Sequence, residues 1–393
     1  MLKLVKSTFY KEKETRAALA RFILSAKQLS YGPECRAFED AFAKWQGSKH
    51  AVMFSSGSTA NFALIQGMMH LGNLKKGDAI GFSAVTWPTN VLPLIQLGLK
   101  PVPIDVDIKT LNISPQTLKN TLSKHKLKAL FLTHVLGLCD NIKEISSICK
   151  KEKIILIEDS CEALGTVYDG KKLGSFGLGG TFSFFVGHHM STIEGGMVVT
   201  NDNNLARELK IIRSHGWDRH LYPHEQKYLR KNHGVGKFYA LYTFYNLGNN
   251  FRPTEVSGFL GKDQIKYADT IINKREKNFK KLSSAIHKRT DLYYPIDTNH
   301  IELVSNFAFP LIARNKKIQD IIIKRAKEKV EIRPLIAGNI VRQPFYKIHG
   351  SMRREKLPNA DLIHHQGLYF CNNPDLTSRD IDVLIEIFTG FEI

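Results

Sequence analysis

Short apolar runs alternate with stretches of helical periodicity over the first 200 residues. Residues 51–54, 129–133 and 154–157 are apolar runs of buried-strand length, and residues 60–71 place apolar side chains at helical spacing. Alternating strands and helices predict a mainly parallel sheet covered on both faces. The remaining elements expected in this region are strands at 78–82, 101–106, 181–185 and 197–200, and helices at 88–97, 115–124 and 142–152.

The pattern changes beyond about Arg252, where a smaller α/β unit is predicted. Its expected elements are helices at 254–267 and 271–289, a strand at 306–313, and helices at 318–329 and 380–388. We therefore predict an α/β protein with a large domain at 1–264 and a small C-terminal domain at 265–393.

Composition is that of an ordinary globular protein, with 43% hydrophobic and 24% charged residues in 393. No apolar run approaches the roughly 20 residues needed to span a bilayer. The N-terminus has no apolar core or cleavage site typical of a signal peptide, so we expect a cytoplasmic protein without a membrane partner.

Charge and cysteine usage narrow the functional classes. The formal net charge is +19, but the basic residues lie in scattered short groups without interleaved aromatics, which argues against nucleic-acid binding. A nucleotide diphosphate ligand or a solvated basic surface explains the charge equally well. None of the five cysteines forms a CxxC pair, so reduced thiols are expected and no metal site is indicated.

Three local patterns suggest a phosphate-bearing ligand. The turn 56–59 precedes a predicted helix, whose free amides and dipole suit a phosphate, although any Ser/Thr N-cap has a similar sequence. Asp159 follows a buried strand, where open α/β sheets bind ligands, although a solvated aspartate also occurs there. Trp87 is a candidate for stacking on a ring or for core packing.

These patterns occur in the order found in the sugar aminotransferase family, which the chain resembles over nearly its whole length. The shared segments are 55–59, Thr86-Trp87-Pro88, Glu158-Asp159-Ser160, 183–196 and 248–255. The resemblance implies an aspartate-aminotransferase-like fold and a homodimer with its active site at the subunit interface. It also implies pyridoxal phosphate (PLP) as cofactor and a nucleotide-linked ketosugar as substrate.

Site residues follow from the same resemblance. It implies contacts to the cofactor phosphate from Gly57, Ser58 and Ser183, pairing of Asp159 with the ring nitrogen, and stacking by Trp87. Glu162 is expected near the cofactor, at a position where these enzymes commonly have glutamine, and Asn250 is expected to approach the phosphate from the partner subunit. Substrate or cofactor-side contacts are also expected from His215, Arg219 and Arg252, although a surface polar loop is the alternative for His215 and Arg219.

His188 occupies the position of the lysine that normally binds PLP covalently in this family. It lies five residues after Ser183, in the sequence 187–196, which resembles the branch of the family that makes 3,6-dideoxysugars by 3-dehydration. A histidine can do acid–base work but cannot form the covalent link. The adjacent His189 competes for this role, but the register favours His188.

The resemblance therefore implies a hydro-lyase that holds PLP, or its amine form pyridoxamine phosphate (PMP), non-covalently. Glutamate would supply the amine, and the C3 hydroxyl of a nucleotide-linked 4-keto-6-deoxysugar, with GDP-4-keto-6-deoxymannose favoured, would leave as water. No iron–sulfur cluster is expected, because no cysteine lies between Cys161 and Cys371. An aminotransferase that tolerates histidine and a non-catalytic binding protein are the alternatives, and GDP versus CDP and hexose versus heptose stay open.

Overall fold

The fold was analysed in a computed structural model that describes residues 1–5, 7–350 and 355–392. Its strands are β1 His50–Phe54, β2 Ala79–Ser83, β3 Lys100–Ile104, β4 Ala129–Thr133, β5 Ile155–Asp159, β6 Val167–Tyr168, β7 Lys171–Lys172, β8 Gly179–Ser183, β9 Gly196–Thr200, β10 Ala308–Ile312, β11 Ile332–Pro334 and β12 Gly367–Cys371.

Helices surround these strands. The α-helices are α1 Glu12–Ser25, α2 Pro33–Gln46, α3 Gly57–His70, α4 Leu92–Gln96, α5 Pro115–Leu122, α6 Ile142–Lys151, α7 Asn203–Ile212, α8 Pro223–Asn232, α9 Glu255–Gln264, α10 Ala268–Ile286, α11 Lys316–Ala326, α12 Pro344–His349, α13 Pro358–Gln366 and α14 Ser378–Thr389. Short 3₁₀ helices lie at Pro88–Asn90, Val135–Gly137, Tyr239–Tyr242, Ile265–Tyr267 and Ile340–Arg342.

A seven-stranded sheet, in the order β1-β9-β8-β5-β4-β2-β3, forms the centre of the first 200 described residues. Only β9 runs antiparallel to its neighbours within this sheet, and the other strands are parallel to one another. The predicted α/β class with a mainly parallel sheet is confirmed. The carboxyl ends of β1, β5 and β8 consequently meet at one edge of the sheet, where ligands of such sheets bind.

The C-terminal part contains an antiparallel sheet in the order β10-β12-β11, and its apolar side chains share one cluster with those of α10, α11 and α14. One apolar cluster joins residues of this sheet, such as Phe309 and Phe370, to residues of the large sheet, such as Leu130 of β4 and Leu156 of β5. We keep the division into domains at 1–264 and 265–393 as a proposal; it falls where α9 gives way to a 3₁₀ turn. Within the described part of the chain, no helix is both long and apolar enough to cross a bilayer.

The helix predicted at 88–97 is interrupted in the structure. A 3₁₀ turn at Pro88–Asn90 ends before α4, which has Pro93 in its first turn. Proline lacks an N–H donor and its ring blocks the preceding turn, so a continuous helix cannot run through it. The break leaves Trp87 at the start of the 3₁₀ turn, 57% exposed.

Candidate functional site

The cofactor-binding residues expected from the sequence gather at the carboxyl edge of the large sheet. Asp159 and Ser183 are the last residues of the neighbouring strands β5 and β8, and Gly57 begins α3 directly after β1. The sheet therefore brings Gly57 together with two residues that lie more than 100 positions further along the chain.

The start of α3 forms a cradle with free backbone donors. The Ser56 side chain caps the helix by accepting a hydrogen bond from the Thr59 amide at 3.1 Å. The amides of Gly57 and Ser58, the first two of the helix, have no intrahelical acceptor. A Cβ at Gly57 would lie 2.7 Å from Cβ of Ser183, so only glycine permits this close approach.

Asp159 is held by two hydrogen bonds at the base of the cleft and is 5% exposed. Its Oδ1 accepts from the Cys161 amide at 2.9 Å, and its Oδ2 accepts from the Asn61 side chain at 3.0 Å. Sequence reasoning missed Asn61; the one available signal was an asparagine inside a helix, where its propensity is poor.

Glu162 lies close to this carboxylate. Its Oε2 accepts a hydrogen bond from the Leu136 amide at 2.8 Å. Burial raises the pKa of the Glu162 carboxyl to about 8, and the Asp159 charge adds to the rise, so Glu162 carries a proton at neutral pH. A neutral carboxylic acid can donate a hydrogen bond, as the amide of glutamine does.

The two adjacent histidines have different environments. His188 is partly buried, and its ring lies 5.2 Å from that of Phe307. Burial lowers the pKa of His188 to about 4, against the influence of Asp159, so the ring is neutral at physiological pH. His189 is 4% exposed, and its Nε2 bonds to the carbonyl of Ser305 at 2.9 Å. This burial supports His188 over His189 as the residue that can reach a ligand.

A second group contains the three residues expected to contact substrate, and Trp217 holds them together. The guanidinium of Arg219 lies 3.9 Å from the centre of the Trp217 ring, and that of Arg252 lies 6.0 Å from it. The ring of His215 lies 5.4 Å from the same indole. Cation–π contacts of this kind fix the position of long side chains. Sequence reasoning did not identify this role of Trp217.

Asn250 lies between the group around Trp217 and the residues at the carboxyl edge of the sheet. Its Oδ1 accepts from Nε of Arg252 at 3.0 Å, and the carbonyl of the next residue, Phe251, accepts from the Ser55 amide at 2.9 Å. Asn250 itself is exposed. Its expected contact with the phosphate of a partner subunit stays a prediction.

The residues at the carboxyl edge of the large sheet, together with Trp87, fit pyridoxal phosphate. Free amides at a helix N-terminus suit the phosphate, a buried carboxylate suits a protonated pyridine nitrogen, and an exposed indole can cover a ring. Among the described residues, no set of three or more His, Cys, Asp and Glu side chains lies close enough to hold a metal ion.

The chain is similar over nearly its whole length to known proteins. The model of the DegT/DnrJ/EryC1/StrS aminotransferase family matches residues 10–389. A GDP-4-keto-6-deoxy-D-mannose 3-dehydratase of Escherichia coli O55:H7 is 35% identical, with 93% of this chain and 94% of the relative covered.

Two crystal structures of a GDP-4-keto-6-deoxymannose-3-dehydratase are similar in fold. One, 32% identical with a TM-score of 0.90, contains a trapped PLP–glutamate geminal diamine, and covers 99% of this chain and 100% of its own. The other, a histidine-to-asparagine variant with bound GDP-perosamine, is 32% identical with a TM-score of 0.89 and the same coverage.

Proposed function

Because the chain belongs to the DegT/DnrJ/EryC1/StrS aminotransferase family, we propose that it is a PLP-dependent 3-dehydratase of nucleotide sugars. Its substrate is a nucleotide-linked 4-keto-6-deoxysugar, with GDP-4-keto-6-deoxymannose the favoured candidate. Glutamate donates the amine, and the products are a 3,6-dideoxy-4-ketosugar, 2-oxoglutarate and ammonia. One similar crystal structure contains a PLP–glutamate adduct, which supports the proposed cofactor and amine donor. Another contains a GDP-sugar, which supports the proposed class of substrate.

One observation carries the choice of a dehydratase over an aminotransferase. The residue five positions after Ser183, where the family has its cofactor-binding lysine, is His188. A lysine there would hold the cofactor and return a proton to the carbon that bears the amine. An imidazole cannot bind the cofactor covalently, and it returns the proton less readily than a lysine does. Elimination therefore becomes the outcome.

The residues present would hold the cofactor at three points. The amides of Gly57 and Ser58 and the hydroxyl of Ser183 would bind its phosphate, Asp159 its ring nitrogen, and Trp87 its ring face. When bound, the cofactor supplies an electron sink that allows a proton to leave a neighbouring carbon. Asp159 keeps that sink active, because its fixed negative charge stabilises a protonated ring nitrogen.

His188 acts as the base that removes this proton. Its low pKa keeps the imidazole neutral above about pH 4, so a lone pair is available across the physiological range. Its Nδ1 is buried, so Nε2 is the nitrogen that we assign as the acceptor of the proton. Glu162, which is protonated at neutral pH, can donate a hydrogen bond near Asp159 without adding a second negative charge.

We also propose a homodimer with the cleft at the subunit interface. Large apolar side chains are exposed along residues 238–247, next to Asn250; they are Phe238, Tyr239, Leu241, Tyr242, Phe244 and Leu247. Contiguous exposed apolar surface of this kind marks an interaction site. A cytoplasmic location is likewise a proposal, supported by five free cysteines, since thiols stay reduced there.

A substrate panel tests the proposed function. The purified protein with PLP and glutamate is incubated with GDP- and CDP-linked 4-keto-6-deoxyhexoses and a 6-deoxyheptose, and mass spectrometry reports the C3 oxygen. The proposal predicts loss of that oxygen from at least one sugar, with the GDP-hexose the fastest. If every sugar keeps its oxygen while amine appears at C4, the protein is an aminotransferase.

A further inference from the structure

Two arginine side chains among the described residues are almost completely buried, and only one of them is neutralised by a carboxylate. Arg213 forms an ion pair with Glu39. Arg275, on α10 and 4% exposed, instead directs its hydrogen bonds to backbone carbonyls. Burial lowers the pKa of Arg275 to about 10, so the guanidinium is still charged at neutral pH. A buried charge without an ion-pair partner destabilises a fold, which points to a function for Arg275.

Arg275 holds one short segment of the chain. Its Nη1 donates to the carbonyl of Phe307 at 2.8 Å, to that of Asn306 at 3.4 Å and to that of Asn372. The Asn372 side chain completes the clamp, since its Nδ2 donates to the carbonyls of Arg275 at 3.1 Å and of Asn306 at 3.2 Å. These bonds fix the segment 305–307, which leads directly into β10.

The segment 305–307 contacts the two adjacent histidines. The ring of Phe307 lies 5.2 Å from that of His188. The carbonyl of Ser305 accepts a hydrogen bond from Nε2 of His189 at 2.9 Å. Because both contacts come from three consecutive residues, the position of this segment determines how the two histidines are held.

The same segment is tied to Glu162 through a strained residue. The amide of Phe307 and the side chain of Asn306 both donate to the carbonyl of Leu136, at 3.0 Å and 2.8 Å. The amide of Leu136 in turn donates to Oε2 of Glu162 at 2.8 Å. Leu136 has a φ of 54°, in the left-handed region that residues other than glycine rarely adopt, and such strain persists where the surrounding contacts fix it. Arg275 therefore holds a segment that is connected to two residues of the proposed site.

We propose that Arg275 is a positioning residue for His188. It holds the segment 305–307 so that the Phe307 ring packs against the imidazole, and its positive charge, at the same small cavity that His188 lines, keeps the imidazole in its neutral form. The use of that imidazole as a base rests on the proposed function. Its placement and its protonation do not, so they can be measured without the reaction.

The charges around His188 favour the neutral imidazole. Burial has the largest effect on its pKa, Asp159 raises that pKa and Arg275 lowers it, and the result is a value of about 4. Burial and Arg275 also lower the pKa of His189, so this neighbour is neutral too. Tyr10 is the other titratable side chain among the described residues that line the cavity. Loss of the Arg275 charge removes a group that disfavours the imidazolium, so the pKa of His188 should rise.

NMR titration of the cofactor-free protein tests this charge effect. The Cε1–H signal of His188, assigned with His188→Gln, is followed from pH 4.5 to pH 8. The wild type should show only the end of a titration, because its pKa is about 4. Arg275→Gln should raise the midpoint by about one pH unit. Arg314→Gln, which removes the same charge from a side chain bonded to the Thr290 carbonyl, is the matched control. Equal midpoints in the two variants overturn the proposal.

Arg275→Lys separates the charge from the clamp, and it serves if Arg275→Gln does not fold. Lysine keeps the positive charge, so the midpoint of His188 should stay near that of the wild type. An ammonium group on an unbranched side chain cannot hold the three carbonyls as the guanidinium does, so the NOE cross-peak between the Phe307 and His188 rings should weaken. A midpoint raised as far as in Arg275→Gln, or a cross-peak of wild-type intensity, overturns the proposal.

The consequence for catalysis appears in the pH profile. At one pH unit below the NMR midpoint of Arg275→Gln, kcat of this variant should be about tenfold below its value at neutral pH, because only about a tenth of His188 is then neutral. The wild type should keep most of its kcat at that pH. The NMR result requires neither cofactor nor sugar, so the two failures are distinguishable: unchanged sugars with a raised midpoint contradict the dehydratase alone, and product formation with an unchanged midpoint contradicts the role of Arg275 alone.

Discussion

Asn61 donates a hydrogen bond from its side-chain amide to Oδ2 of Asp159 at 3.0 Å. Asn61 is fully buried and lies on α3, about one turn after Gly57. The bond therefore ties the helix whose N-terminus forms the phosphate cradle to the carboxylate at the end of β5. This one hydrogen bond therefore holds the proposed sites for the cofactor's phosphate and for its ring nitrogen in position relative to each other.

Replacing Asn61 by alanine should weaken cofactor binding. Loss of a hydrogen bond to a charged group is worth about 1.5–3 kcal/mol, so the Kd for PLP should rise by roughly tenfold or more. Absorbance titration of the cofactor-free protein measures it. Gln66→Ala, a buried polar change on the same helix that does not touch Asp159, is the control. Equal affinities in the two variants would show that this bond does not position the carboxylate.

Glu162→Gln should stabilise the cofactor-free protein at high pH. The pKa of Glu162 rises from an ordinary 4.5 to about 8 on folding, because burial disfavours its charge. The folded state then binds the extra proton, so this group lowers stability as pH rises from 4.5 to 8. Denaturant unfolding at pH 5 and pH 8.5 should show a gain of at least about 1 kcal/mol for the variant only at the higher pH. An equal gain at both pH values would indicate a different cause.

Glu39 and Arg213 form a buried ion pair that should matter for stability. Arg213 is fully buried beneath the Tyr31 ring, and Tyr31 also donates to Glu39 at 3.1 Å. Glu39→Ala leaves the guanidinium without its counter-charge, and unfolding free energy should fall by about 3–5 kcal/mol. The double variant Glu39→Ala, Arg213→Met should recover part of this loss. Additive losses in the double variant would argue against coupling of the two charges.

The exposed apolar stretch at 238–247 predicts dimer formation. Leu247 is 74% exposed, so Leu247→Glu should be tolerated by a single subunit but should weaken the proposed interface. Sedimentation velocity should show a wild-type dimer and a larger monomer fraction in the variant. Ile323→Glu, on α11, is the matched control with 43% exposure. A monomeric wild type would contradict the proposal that two subunits share the cleft.

Periodicity predicted the parallel sheet well, because strands buried on both faces carry continuous apolar runs. The strand at 129–133 matches β4 to the residue. Helices α1 and α2 were not predicted. Mean hydropathy is negative in α1, and only Thr15 of its residues is buried, so it offers little apolar signal. Strands β11 and β12 were likewise missed, since a short edge strand and a buried run after a helix lack clear turn signals.

The site was predicted in parts. Gly57, Asp159 and Ser183 converge as expected, because strand ends in a parallel sheet share one edge. Trp217 and Asn61 were missed, because each acts by holding other residues, and such contacts join segments that are distant in sequence. No sequence pattern reports that an asparagine at position 61 meets an aspartate at position 159.

Labelled nitrogen tests the central claim that His188 in place of lysine turns amino transfer into dehydration. The protein, cofactor, ¹⁵N-glutamate and GDP-4-keto-6-deoxymannose are incubated, and the label is followed into free ammonia and into the sugar. The wild type should release the label as ammonia together with a 3-deoxy product, and His188→Lys should largely lose this reaction. Label retained at C4 of the sugar by the wild type, or ammonia release undiminished in His188→Lys, would contradict the account.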